Sequence, residues 1–182
     1  QRASGGMERI DELLGEVSQL PVPAHPSPLV KPLRGDLRLE HIQFNYPTRP
    51  DAVALEDFSL HVAPGETVAL VGPSGAGKST VFQLLLRFHD PKSGVVLLDD
   101  IDIRQLDPGE LRSAIALVPQ DPVIFGTTAR ENLRYGKLDA TDAQIEAAAR
   151  SAEAHDFLSL LPGGYDSELG ERGARLSGGQ QQ

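Results

Sequence analysis

Thr67-Val68-Ala69-Leu70-Val71 runs directly into Gly72-Pro73-Ser74-Gly75-Ala76-Gly77-Lys78-Ser79-Thr80, and this stretch decides the fold. A continuous apolar run of that length predicts a strand buried on both faces. The first eight residues after it match the spacing G-x-x-x-x-G-K-[ST], and with Thr80 they lead into a helical pattern, Val81 to Phe88, that carries Leu84, Leu85 and Leu86. Strand, glycine-rich loop and helix in that order make a mononucleotide-binding unit. The chemistry explains the composition: backbone N–H groups must converge on phosphate oxygens, so bulky side chains are excluded, and the helix start adds its dipole. On this reading Gly72, Ser74, Gly75, Gly77, Lys78, Ser79 and Thr80 hold a nucleotide. Lys78 reaches the β and γ phosphates as a catalytic cation, and Ser79 holds Mg²⁺. The bland alternative is an ordinary glycine-rich turn. A dinucleotide fingerprint fits poorly, because Gly75-x-Gly77-x-x-Thr80 lacks its third glycine.

Upstream, Leu37–Phe44 is rich in β-forming residues, and Phe58, Leu60 and Val62 alternate with polar residues before a Pro64-Gly65 turn. Residues 21–35 carry Pro21, Pro23, Pro26, Pro28 and Pro32 and close at Gly35, which reads as a stiff, extended linker and a domain boundary. Before it, Ile10, Leu13, Leu14 and Val17 follow helical spacing over residues 4–17. That helix either packs on its own domain or joins a preceding one. Downstream, Val95–Leu98 is an apolar strand after a Ser93-Gly94 turn, and Ile115–Val118 is the next. Asp107-Pro108-x-Glu110, Thr128-x-x-Glu131 and Thr141-x-x-Gln144 are helix starts. Ala143–Ala152 is alanine-rich, and Pro162-Gly163-Gly164 ends the helical region.

The whole chain has 182 residues, 17 Lys plus Arg against 26 Asp plus Glu, and a net charge of −9. That acidity argues against a nucleic-acid partner or an anionic-membrane binder, which would present a basic face. With no cysteine, thiol catalysis and zinc ribbons are excluded. The longest apolar run, Ala114–Val118, is too short to span a bilayer.

Far beyond the loop stands Leu176-Ser177-Gly178-Gly179-Gln180. Alone it reads as a flexible turn. After a phosphate-binding loop, it makes the sequence resemble the ATP-binding cassette (ABC) family, whose signature is LSGGQ. The resemblance runs over residues 36–182 and is closest to exporters. It implies that Ser177, Gly178, Gly179 and Gln180 form a second anion cradle, closing on ATP held by a second ABC ATP-binding domain in a homo- or heterodimer. It implies further that Tyr46, in Phe44-Asn45-Tyr46-Pro47, stacks on adenine, where the alternative is a tyrosine closing a strand end. Gln120, in Val118-Pro119-Gln120-Asp121, would meet Mg²⁺ and the attacking water, where the alternative is a loop glutamine satisfying backbone groups. Ser167–Gly173, with Glu168, resembles the exporters' short loop before the signature, or else is a charged surface loop.

The family's acidic strand with its catalytic glutamate, its D-loop and its switch histidine are not among these residues. His89 and His155 read as surface residues, and Asp99 and Asp100 as a turn. The implied fold is α/β: a P-loop NTPase core, an antiparallel β segment on its N-terminal side, and a helical signature subdomain. Residues 1–35 would be a connecting helix and linker from a preceding membrane domain, and 36–182 an ABC ATP-binding domain incomplete at its C-terminus. The implied function is ATP-driven export at the cytoplasmic face of a membrane, the bacterial inner membrane first. The cofactors would be ATP and Mg²⁺, with a fused or associated transmembrane domain. The chain alone is expected to bind ATP without efficient hydrolysis. A non-hydrolysing nucleotide-binding module and a soluble ABC ATPase acting on nucleic acid remain open.

Overall fold

The computed structural model describes residues 10, 14, 15, 20–170, 173, 174 and 176–181. Of the helix expected over residues 4–17, only Ile10 and Leu14, both helical and exposed, and Gly15, in a turn, are among them. The chain divides into two compact units between Ala116 and Leu117.

The first unit is built on a four-stranded sheet of β1 (Leu37–Asn45), β2 (Val53–Val62), β3 (Ser93–Leu98) and β4 (Ile101–Asp102). The order is β2-β1-β3-β4, and every neighbouring pair is antiparallel. Strict alternation would point Leu39 and Ile42 to opposite faces, yet they are 1% and 0% exposed in one core. A bulge reconciles them. The register slips between Leu39 and Ile42, with His41 (φ 51°) and Asp57 (φ 45°) both left-handed and their side chains hydrogen-bonded at 2.7 Å.

Gly94, expected in a turn before the strand, lies inside β3 and presses on that bulge. At φ 87°, a Cβ there would sit 2.4 Å from the Glu40 carbonyl oxygen and 2.5 Å from that of His41. Only glycine fits.

Helix α1 (Lys78–Leu85) buries Thr80, Val81 and Leu84 against the sheet core. Asp99 and Asp100, both at positive φ, form the two-residue turn between β3 and β4, as the sequence suggested. Asp107 caps α2 (Pro108–Ser113), accepting from the Gly109 and Glu110 amides.

The proline-rich residues 21–35 form neither helix nor strand, and they are docked rather than free. The Arg87 guanidinium, fully buried at the end of α1, donates to the Pro21 carbonyl at 2.6 Å and pairs with Asp90. The Ser27 amide donates to the Gln105 carbonyl, and Leu29 is buried in the sheet core. Asp99 then accepts the Arg34 and Asp36 amides. Leu29 is the buried side chain that seats the segment, and Leu33 packs beside it on the same core.

Two expectations fail. Thr67–Val71 and Ile115–Val118 are assigned neither strand nor helix. Leu70 and Ile115 pack on the core, but Val71 is 88% and Val118 68% exposed. A continuous apolar run shows that a strand needs cover on both faces. Among the described residues no strand pairs with either run.

The second unit holds α3 (Ala129–Arg134), α4 (Asp142–Ser151), α5 (His155–Ser159) and α6 (Gly178–Gln181). Its core is Ala129, Ile145, Ala149, Leu158, Tyr165 and Leu169. Thr128 caps α3, and Thr141 with Gln144 makes the full reciprocal box on α4. The backbones of Thr128 and Glu168 bridge as a short antiparallel pair. Around it, Arg130 bonds Asp166 and Asp142 and lies over the Tyr165 ring. His155 is half-buried and bonds the Tyr165 hydroxyl at 2.9 Å, so it is not the surface residue expected.

Candidate functional site

In the first unit the glycine-rich loop folds back between β2 and α1. Gly77 is the pivot. Its φ is 82°, and a Cβ there would meet the Ala54 carbonyl oxygen at 2.5 Å and Leu55 Cδ2 at 2.8 Å. The loop therefore lies directly on β2, as only a residue without a side chain permits. Helix α1 begins immediately after it with no side-chain cap on its first amides. Those N–H groups have no intrahelical acceptor, and the helix dipole makes their surroundings favourable to an anion.

Lys78, the first residue of α1, turns its ammonium back over the loop. Its Nζ donates to the Gly72 and Pro73 carbonyls, at 2.8 Å each. The cation is thus already placed across the loop mouth, satisfied by two weak neutral acceptors that a phosphate would outcompete. Gly72, Ser74, Gly75 and Ser79 are exposed around it. The amides, the lysine and the serine hydroxyl fit a triphosphate with its magnesium ion.

Thr80 is the buried member of the set. It is 4% exposed, and its hydroxyl lies 2.9 Å from the Tyr46 hydroxyl rather than toward solvent. Tyr46 is half-buried at the end of β1, and its hydroxyl also donates to Gln83 Oε1 at 3.0 Å. Its ring meets Phe44 and His89 edge-on, with centroids 5.0 and 5.6 Å away. His89 is therefore half-buried among aromatic rings, not a surface histidine. Sequence reading missed both the Tyr46–Thr80–Gln83 link and this packing. The one available signal was that Thr80 and Gln83 stand one helical turn apart.

The remaining site residues belong to the second unit. Gln120 is exposed, not a loop glutamine buried on backbone groups. Ser177, Gly178, Gly179 and Gln180 are all exposed as well. The Ser177 amide donates to Gln180 Oε1 at 2.9 Å, and the Gln180 amide donates back to Ser177 Oγ at 3.4 Å. This reciprocal pair uses Ser177 Oγ as an acceptor and leaves its proton to donate elsewhere. Gln181 Nε2 ties the segment to the Gly173 and Leu176 carbonyls. Glu168, exposed, stands in the loop before it.

Residues 55–182 match the family described as ABC transporter. ABC transporter B family member 1 of Arabidopsis thaliana is 48% identical over 177 residues, covering 97% of this chain and 14% of that protein. The mitochondrial potassium channel ATP-binding subunit of Homo sapiens is 52% identical over 151 residues, covering 82% of this chain and 20% of that protein. Among solved structures, a bacterial Atm1-family ABC exporter with ATP bound superposes with a TM-score of 0.85 at 41% identity. It covers 96% of this chain and 30% of its own. The chain thus spans a minor part of the length of each relative it matches.

Proposed function

Because the chain belongs to the ABC transporter family, we propose that it is the ATP-binding part of an exporter, coupling ATP binding and hydrolysis to transport across a membrane. The observation that carries this reading is the loop itself: an uncapped helix start, a glycine pressed onto β2, and Lys78 held across the mouth. Phosphoryl transfer to water needs positioning and charge neutralisation more than covalent chemistry. The loop amides and Lys78 would orient the phosphates, with Tyr46 beside the base. Mg²⁺, held by Ser79, would neutralise phosphate charge. Neither the loop nor the signature contains a carboxylate to activate water. The 182 residues by themselves would therefore bind ATP and turn it over slowly.

The signature would act in trans, with Ser177 and the Gly178 and Gly179 amides meeting the nucleotide of a second ATP-binding domain. ATP then joins the two copies with two-fold symmetry. The partners of the complete protein would be that second domain and a transmembrane domain. No helix among the described residues is long and apolar enough to cross a membrane. Relatives named as bacterial and as mitochondrial support a membrane of either kind.

ATPase measurement on the complete protein tests the reading. Lys78→Ala should lower turnover roughly a hundredfold or more, the scale of losing a preorganised phosphate contact. Turnover equal to wild type would overturn it.

A further inference from the structure

The hydroxyl of Tyr46 has work that stacking on a base does not require. A phenol carries one proton, and here that proton goes to Gln83 Oε1, 3.0 Å away. The Thr80 hydroxyl, 2.9 Å on the other side, must then be the donor in its contact with Tyr46. The result is a directed chain, Thr80 to Tyr46 to Gln83, that starts in the first turn of α1, passes through the end of β1 and returns to α1. Thr80 follows Ser79 directly and is 4% exposed, so its hydroxyl has no water to fall back on. Nothing else caps this helix start with a side chain. Besides the bonds the loop makes to itself through Lys78, two contacts with β2 and the end of β1 support it: Gly77 pressed on β2, and Thr80 bonded to Tyr46.

We propose that Tyr46 is a positioning residue for the phosphate loop, its hydroxyl fixing the first turn of α1 so that the loop amides converge before any nucleotide arrives. This rests on the nucleotide-binding reading above and adds to it. An aromatic ring beside the base site needs only its face; a positioning residue needs its oxygen. The two roles separate by ligand. Tripolyphosphate has no base, so stacking contributes nothing to its binding, whereas loop geometry governs it fully. If a fraction of molecules loses the converged loop, the apparent dissociation constant rises by the inverse of the fraction that keeps it.

The experiment is calorimetric titration of the complete protein with ATP and with tripolyphosphate, each with Mg²⁺. Tyr46→Phe keeps the ring and removes the oxygen. It should weaken both ligands equally, by roughly three- to tenfold, the scale of one net hydrogen bond. Gln83→Leu, which removes the acceptor, should do the same, and Gln83→Glu, which restores one, should return both affinities toward wild type. That rescue separates positioning from a general loss of fold, which the thermal midpoints of the same variants report. Tyr46→Ala should lose more affinity for ATP than for tripolyphosphate. Tyr46→Phe binding both ligands like wild type, or weakened for ATP alone, overturns the proposal and leaves the nucleotide reading intact. Wild-type protein that binds neither ligand overturns both.

Discussion

The loop at Gly72–Thr80 and the segment at Ser177–Gln180 are both built from glycine, serine and backbone amides, yet they are held in opposite ways. The first is fixed by distant parts of the chain: Ala54 and Leu55 under Gly77, and Tyr46 on Thr80. The second is bound largely by neighbours in the chain, through the Ser177–Gln180 exchange and the Gln181 bonds to Gly173 and Leu176. Cβ atoms at Gly178 or Gly179 would meet nothing within 4 Å. A glycine in the first cradle is demanded by the fold. In the second, the fold tolerates a side chain, so the demand for glycine must come from whatever approaches it.

Substitution at matched glycines is the strongest way to break this contrast. Gly77→Ala combines a left-handed backbone with a 2.5 Å clash, and should cost about 2–4 kcal/mol in urea denaturation. Gly178→Ala should leave the same transition unmoved within about 0.5 kcal/mol. It should nevertheless reduce ATP-dependent association of the complete protein, read by light scattering. Equal destabilisation by both would erase the distinction.

Ser177→Arg sharpens it. A long cation in the open segment should leave ATP affinity of the separated protein near wild type while abolishing ATP-driven dimerisation. Dimerisation unaffected by the arginine would remove the signature from the interface.

A smaller effect tests whether the second cradle is local. Gln180→Ala removes the acceptor of the Ser177 amide. Hydrogen exchange at Ser177 should speed up severalfold, with the global transition unchanged. A shift of the whole transition would mean that the segment supports more than itself.

The smallest effect concerns the unit that carries the signature. The Arg130 hydrogen bond, reinforced by its charge, holds the Asp166 carboxyl below the usual carboxylate range. Its contribution is therefore complete above the ordinary aspartate pKa and is lost as pH falls through the depressed value. Asp166→Asn should flatten the acid side of the stability–pH curve slightly, and an unchanged slope would show that the exposed pair contributes nothing.

What could be read in the sequence divides along similar lines. The loop, the caps at Asp107, Thr128 and Thr141, and the strands β1 and β2 were legible, because each is specified by residues within a few positions of one another. The bulge at His41 was not. It arises where β1 meets both β2 and β3, and the glycine that accommodates it, Gly94, lies far along the chain. The docking of residues 21–35 was hidden for the same reason, since Pro21 bonds Arg87 and Ser27 bonds Gln105, each far along the chain. The apolar runs at Thr67–Val71 and Ile115–Val118 were recognisable as segments in need of cover. Pairing is a property of neighbours, and neither run states which neighbour it takes. In the site, the sequence showed which residues could touch a phosphate, while the packing of Thr80 and Tyr46 depended on a rotamer choice that no local pattern encodes.

Arg87 ties residues 21–35 to the C-terminal end of α1. Its guanidinium grips the chain at Pro21, while its own backbone closes the C-terminal end of α1, where the Arg112 side chain also bonds the Leu86 and Arg87 carbonyls. At the other end of that helix, about 12 Å away for eight residues at 1.5 Å each, stands the phosphate loop. A short helix behaves as a stiff rod over such a distance. The anchored residues 21–35 and the phosphate loop therefore stand at opposite ends of one short helix, Pro21 bonded near its C-terminal end and Lys78 opening its first turn.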